Sequence, residues 1–207
     1  SNAEGDVPSI GPGLQGAKDD RVNCVNLLDK NINSSSFKYP EISHMDPLSR
    51  IAPSGLSSWC YGPLGDLIAK NWDVPVIFFN GAIGNTSVFA WKYGALHQTP
   101  PPPIPDAYAN YEWTKGEPFI HLEKTLKYYC SLMGVRTILW HQGEVDNGIF
   151  LVNNGADSEA YKSNLKQIIE FSRSYTDKDI SWVIAKASFN GTRTNSTVTD
   201  GQQLTID

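Results

Sequence analysis

The sequence has little that would tie it to a membrane, a nucleic acid or a metal. No apolar run approaches the roughly 20 residues that a membrane helix needs. Lys and Arg total 17 against 22 Asp and Glu, a formal net charge of −5. No basic stripe or Lys/Arg cluster occurs, which argues against nucleic acid as a partner. The three cysteines, Cys24, Cys60 and Cys130, are widely spaced and form no Cys-x-x-Cys pair. They read as buried small hydrophobes; one disulfide with a leftover thiol is the other arrangement the count allows. None of the four histidines, His44, His97, His121 and His141, pairs with another His or Cys at ligand spacing. No zinc site and no cofactor is therefore expected.

What is present fits a soluble globular chain. The 207 residues are 40% hydrophobic and 19% charged. That is one ordinary domain, or a domain with an insertion. A chain of this size buries roughly 70% of its extended surface and needs no disulfide framework to fold. There is no internal repeat.

The hydrophobic pattern alternates strands with helices. Arg21–Leu28 reads as a first strand with Val22, Cys24 and Leu27 inward, and Asp29–Pro53 reads as irregular. Gly62-Pro63 opens a short helix with a stripe of Leu64, Leu67 and Ile68. Pro75–Asn80 and Val135–Trp140 are apolar runs of the kind buried on both faces. Glu117–Met133 reads as one amphipathic helix stopped by Gly134. Ser158–Ser172 reads as a second, capped by Asp157 or Ser158, and Ser181–Ala187 as the last strand. Between them, residues 97–116 carry Pro100 to Pro103, Pro105, Tyr108, Tyr111 and Trp113. This insertion is either a lid or substrate wall, or a rigid surface excursion. The alternation predicts an α/β fold with a mostly parallel sheet and ligands beyond the strands' carboxyl ends.

Two loops meet that rule. Gly81-Ala82-Ile83-Gly84-Asn85-Thr86-Ser87 leaves the second buried strand. Its backbone N–H groups suit an oxyanion, or it is simply a tight strand-to-helix turn. It lacks the Gly-Lys-Ser/Thr ending of a phosphate loop. The other, His141-Gln142-Gly143-Glu144-Val145-Asp146-Asn147-Gly148, packs polar and acidic groups directly after a buried strand. The Gln142 amide can donate two hydrogen bonds, as an oxyanion hole requires.

Trp140-His141-Gln142-Gly143-Glu144-Val145-Asp146 resembles the Trp-x-Gln-Gly-Glu-x-Asp/Asn signature of sialate O-acetylesterase-like carbohydrate esterases, in the SGNH hydrolase superfamily. Asp46-Pro47-Leu48 with Gly62-Pro63, and the block Asn80–Ser87 with Trp91, are similar to further segments of that family. The resemblance covers roughly residues 40–190. It implies a three-layer α/β/α flavodoxin-like fold, with 1–207 a single esterase domain, incomplete at both ends, around the 97–116 insertion. It also implies a secreted or periplasmic hydrolase acting on an acetylated carbohydrate. Gly84 matches the oxyanion-hole glycine and Gln142 a second oxyanion donor. Asn85, Glu144, Asp146 and Trp91 fall beside the substrate.

The family's nucleophile is the Ser of a Gly-Gln-Ser-Asn block. The opening Ser1-Asn2-Ala3-Glu4-Gly5 matches it from the serine onward. The same first three letters are those left by tag cleavage, so Ser1 reads either as nucleophile or as such a remnant. The chain departs from the family in lacking the strand before that serine and the closing Asp-x-x-His. The acidic-x-x-His that does occur, Glu41–His44, comes too early and reads as an ordinary polar stretch facing solvent. Two further readings stand beside the esterase. One is a non-catalytic carbohydrate-binding or decayed domain, using Trp91, Tyr93, Tyr111 and Trp113 as sugar platforms. The other is an α/β scaffold whose sheet a partner completes, such as a second copy in a homo-oligomer.

Overall fold

Val22 and Cys24 point to one side of their strand and Val25 to the other, and that alternation organises the first half of the chain. The computed structural model describes residues 15–147, 157–176 and 178–206. The chain forms two compact units. One runs to Gly84 and takes in Lys127–Met133; the other comprises Asn85–Leu126 and the chain from Gly134 onward.

In the first unit, strand β1 (Val22–Val25) lies between β2 (Ile42–His44) and β3 (Val76–Phe78). β1 runs parallel to β3, with Cys24 opposite Phe78, and antiparallel to β2. Both faces of this small sheet are covered. Val22, Cys24 and Phe78 pack with Ala69, Leu64 and Ile68 of helix α1 (Tyr61–Trp72). Val25, Ile77 and Phe79 pack with Tyr128 and Tyr129. A strand sealed on both sides has no polar face, which is why Pro75–Asn80 reads as a continuous apolar run. Asp66 on α1 accepts the backbone N–H groups of Lys18 and Asp19 at 2.9 Å and so pins the segment that leads into β1.

Several sequence expectations need adjustment here. Asp29–Pro53 is not wholly irregular, because it contributes β2, too short at three residues to show alternation. Leu27 lies beyond β1 and is exposed, and Leu67 lies on the outer face of α1. The helix expected over Glu117–Met133 is broken. It runs as α3 (Ile120–Lys124), a π-helical turn (Thr125–Cys130) and a last turn α4 (Ser131–Met133). The Thr125 hydroxyl donates to His121 O at 2.7 Å, a side-chain bond that competes with the backbone ladder. Gly134 ends the element at φ +81, as expected of a left-handed stop. Of the cysteines, Cys24 and Cys130 are buried, Cys60 is exposed, and all three are free.

The second unit is built on two parallel strands, β4 (Thr137–Trp140) and β5 (Ser181–Ile184), joined through helix α5 (Ser158–Arg173). α5 buries Tyr161, Leu165, Ile168, Ile169 and Ser172 and is capped by Asp157, whose carboxylate accepts Ala160 N–H at 2.8 Å. It packs against α2 (Val88–Leu96) and α6 (Ser196–Ile206). β4 is not buried on both faces: Leu139 and its cross-strand partner Val183 are exposed. Trp140 packs edge-on against Trp91 at 5.3 Å and tilted against Trp182 at 5.5 Å.

Pro101, Pro102 and Pro103 are exposed, and the aromatics that follow them belong to this unit's core. The 3-10 turns, Asp106–Tyr108 and Trp113–Lys115, place Tyr108 and Trp113 against Ala90 of α2. The buried Tyr108 hydroxyl accepts Ser87 N–H at 2.9 Å. The fold is thus mixed α/β, with two small sheets among the described residues, one carrying an antiparallel edge strand.

Tyr129 tests the closure of the first unit's sheet. It is 1% exposed and its ring meets Phe79 at 5.1 Å and Phe37 at 5.7 Å. Tyr129→Ala is expected to cost about 3–5 kcal/mol in urea unfolding, the range for a buried aromatic. A loss under about 1 kcal/mol would remove Lys127–Met133 from that core.

Candidate functional site

The Trp140–Asp146 block leaves the carboxyl end of β4 and turns at once. Asn147 N–H bonds back to Gly143 O at 3.0 Å, which folds Asp146 under Gln142. Gly143 stands at φ +150, and a Cβ there would overlap the Ala187 carbonyl oxygen that follows β5. No other residue type fits this crossing.

Asp146 is 2% exposed. Its carboxylate accepts Val88 N–H at the first turn of α2, at 3.1 and 3.2 Å. Ser87 caps the same turn through Ala90 N–H at 3.2 Å. A buried carboxylate at a helix N-terminus meets unsatisfied N–H groups and the positive end of the dipole. Burial nevertheless pushes the Asp146 carboxyl up to about 6, opposed by its bonds to Gln142 and Val88. Glu144 adds a like charge in the same direction.

Gln142 is 7% exposed and its amide is fully engaged. Nε2 donates to Thr86 O at 3.0 Å and to the Asp146 carboxylate. Oε1 accepts the Tyr161 hydroxyl at 3.0 Å. Burial and the nearby Asp146 charge hold the Tyr161 phenol well above its ordinary value, so it stays a donor. The Gln142 backbone carbonyl accepts Gln202 Nε2 at 2.8 Å. Gln202, in α6, also brackets Ala187, donating to its carbonyl at 2.9 Å and accepting its N–H at 3.0 Å. Asn147 Nδ2 donates to the carbonyls of Ser188 and Arg193. Scans against protein-family models, curated proteins and solved structures each return no match to this chain.

The residues singled out by sequence fall into distinct places. Gln142 and Asp146 are brought together as hydrogen-bond partners. Glu144 is half-buried beside them, its Oε1 3.5 Å from His141 Nδ1. Asn85 is exposed, with a left-handed backbone at φ +56, just before Thr86 and the cap Ser87. Asparagine takes that conformation more readily than most residues. Gly84 is half-buried and closes the first unit, where Asn85 opens the second. Trp91 faces inward, 4% exposed, with its indole N–H on Thr86 Oγ1 at 2.8 Å. Trp113 is likewise buried, so neither presents a ring to solvent. Ser1 lies outside the described residues. No group of three or more His, Cys, Asp or Glu among the described residues is arranged to hold a metal. No described helix is long and apolar enough to cross a membrane.

Sequence reasoning missed Tyr161 and Gln202 as members of this network. Tyr161 was visible only as one apolar position of a helical stripe. Gln202 sits in α6, whose Ser, Thr and Gly content hides the helix altogether. Only its side-chain bonds, to residues 15 and 60 positions away, reveal it.

Two outcomes check this geometry. Between the ordinary carboxyl value of 3.8 and about 6, the folded state holds the Asp146 proton more tightly than the unfolded state does. The stability this contributes is complete below the lower value and is lost as pH rises through the upper one. The urea-unfolding free energy of wild type, relative to Asp146→Asn, should fall by about 2 kcal/mol from about pH 4 to about pH 7. Parallel pH profiles for the two proteins would mean that Asp146 titrates normally. Separately, Gly143→Ala should lose at least about 3 kcal/mol of stability. An unchanged melting temperature would contradict the contact with Ala187.

Proposed function

We propose that this protein is a serine esterase that removes O-acetyl groups from a carbohydrate. The observation that carries the reading is the Trp140–Asp146 block itself. It stands at the carboxyl end of a parallel strand, where α/β folds bind ligands. Its Gln, Gly and Asp are each held by contacts specific to their residue type. The parallel pairs β1–β3 and β4–β5, and the two covered faces of the first sheet, support a three-layer flavodoxin-like arrangement.

In this reading Ser1 Oγ attacks the ester carbonyl while a general base takes its proton. The tetrahedral intermediate puts negative charge on the former carbonyl oxygen. Gln142 and the Gly84 backbone N–H are the donors the resemblance assigns to that oxyanion. Gln142 Nε2 spends its two protons on Thr86 O and Asp146, so serving the oxyanion means turning one of them away. Glu144 and Asp146 order the loop and transfer no proton. Export from the cell follows from the same resemblance, since acetylated polysaccharides lie outside.

The test is hydrolysis of an acetylated xylo-oligosaccharide, with fluorophosphonate labelling read by peptide mapping. One adduct on the Ser1 peptide, and acetate release abolished by Ser1→Ala, are expected. Gln142→Ala should lower kcat about 10²–10³-fold with KM little changed. A folded protein that neither labels nor releases acetate from any acetylated sugar or aryl acetate would end the esterase reading.

A further inference from the structure

We infer that Tyr161 and Gln202 are positioning residues that fix the Gln142 amide in one of its two orientations. The inference rests on the esterase reading for its catalytic meaning, but its structural part stands on bonds already described. A glutamine amide has a donor end and an acceptor end of nearly the same shape, and turning it over exchanges them. At Gln142 the Nε2 end meets two acceptors and the Oε1 end meets a hydroxyl that donates to it. Thr86 O is a carbonyl and only accepts. Asp146 accepts while ionised. On the other side the Tyr161 hydroxyl has a proton to give, and burial keeps the phenol from ionising. With the amide reversed, Oε1 would face a carbonyl and a carboxylate, and Nε2 would face a hydroxyl already within 3.4 Å of Gln202 Nε2. The native orientation turns the donor end toward Thr86 O and the Asp146 carboxylate.

Gln202 acts one bond further back. Its Nε2 reaches the Gln142 backbone carbonyl and the Ala187 carbonyl, while its Oε1 takes Ala187 N–H. It therefore ties the backbone after β4 to the backbone after β5, at the point where Gly143 crosses Ala187. The Gln142 backbone cannot shift without breaking that clamp. Gln202 is 0% exposed, so none of these bonds has water as a ready substitute. Neither residue is asked to touch substrate. Both act through Gln142.

The experiment follows the Gln142 side-chain amide protons by hydrogen exchange in 15N spectra, in wild type, Tyr161→Phe and Gln202→Leu. Tyr161→Phe keeps the buried ring and deletes one hydroxyl, so it is the variant expected to stay folded. Gln142 amide exchange should accelerate about tenfold in Tyr161→Phe, the loss of one buried hydrogen bond. On an acetylated substrate, kcat should fall by a similar factor with KM within about twofold. In a Gln142→Ala background the same substitution should change kcat less than about twofold, because the group it positions is gone. Unchanged exchange in Tyr161→Phe, or an equal loss of kcat with and without Gln142, overturns the inference. A wild type that hydrolyses no ester defeats the esterase reading instead, and the exchange rates then decide the positioning on their own.

Discussion

A carboxylate inside a protein must find hydrogen-bond donors or give up its charge, and the second unit depends on how Asp146 meets that demand. It takes Val88 N–H from the start of α2 and Nε2 of Gln142. The first bond fixes where α2 begins. The second fixes which end of the Gln142 amide faces α2, and so requires a donor at the other end, which Tyr161 supplies. Each choice removes freedom from the next. The chain of dependence passes through Gln142 O to Gln202 and from there to both polar groups of Ala187.

The same demand explains why Tyr108, which follows the proline run, belongs to the core. The N-terminal turn of α2 has more N–H groups than the helix can satisfy. Asp146 takes one, the Ser87 side chain another, and the Tyr108 hydroxyl takes Ser87 N–H. Tyr108 comes from the first 3-10 turn after the prolines. Prolines have little backbone freedom left to lose when the segment after them is held against a helix end. The aromatics that resemble a sugar platform by composition thus pack around Ala90, and Trp91 gives its N–H to Thr86.

How much of this the sequence disclosed depended on whether a residue's role was local. α5 was legible to its cap, because Tyr161, Leu165, Ile168 and Ile169 keep helical spacing around Asp157. β3 was legible because a strand covered on both faces is apolar throughout, and β1 because Val22 and Cys24 alternate with Asn23. α2 was not, because Val88–Leu96 is apolar on nearly every side and shows no stripe. α6 was not, because its buried positions are Val198, Gly201 and Gln202, two of which look like loop residues. In the site, Gln142, Gly143 and Asp146 were legible as a block. Their partners Thr86, Tyr161, Ala187 and Gln202 were not, because a side-chain bond across 60 residues leaves no periodic trace.

The block's spacing has a physical reading of its own. Gln142 and Asp146 are four apart, the separation that one backbone bond from Asn147 to Gly143 closes into a turn. Glu144, between them, stays at the half-exposed rim beside His141. Three constraints therefore meet in five residues. There must be an amide with both ends engaged, a crossing that admits no side chain, and a buried anion at a helix start. Glutamate at 142 would set a second carboxylate against Asp146, and alanine at 143 would strike Ala187. Asparagine at 146 would bring an N–H toward donors already pointing at it. Each constraint forbids a different substitution, and together they leave few sequences that build this turn. That selectivity makes Gln-Gly-Glu-x-Asp more informative than any of its letters alone, and it arises from packing and hydrogen-bond polarity before any substrate is considered.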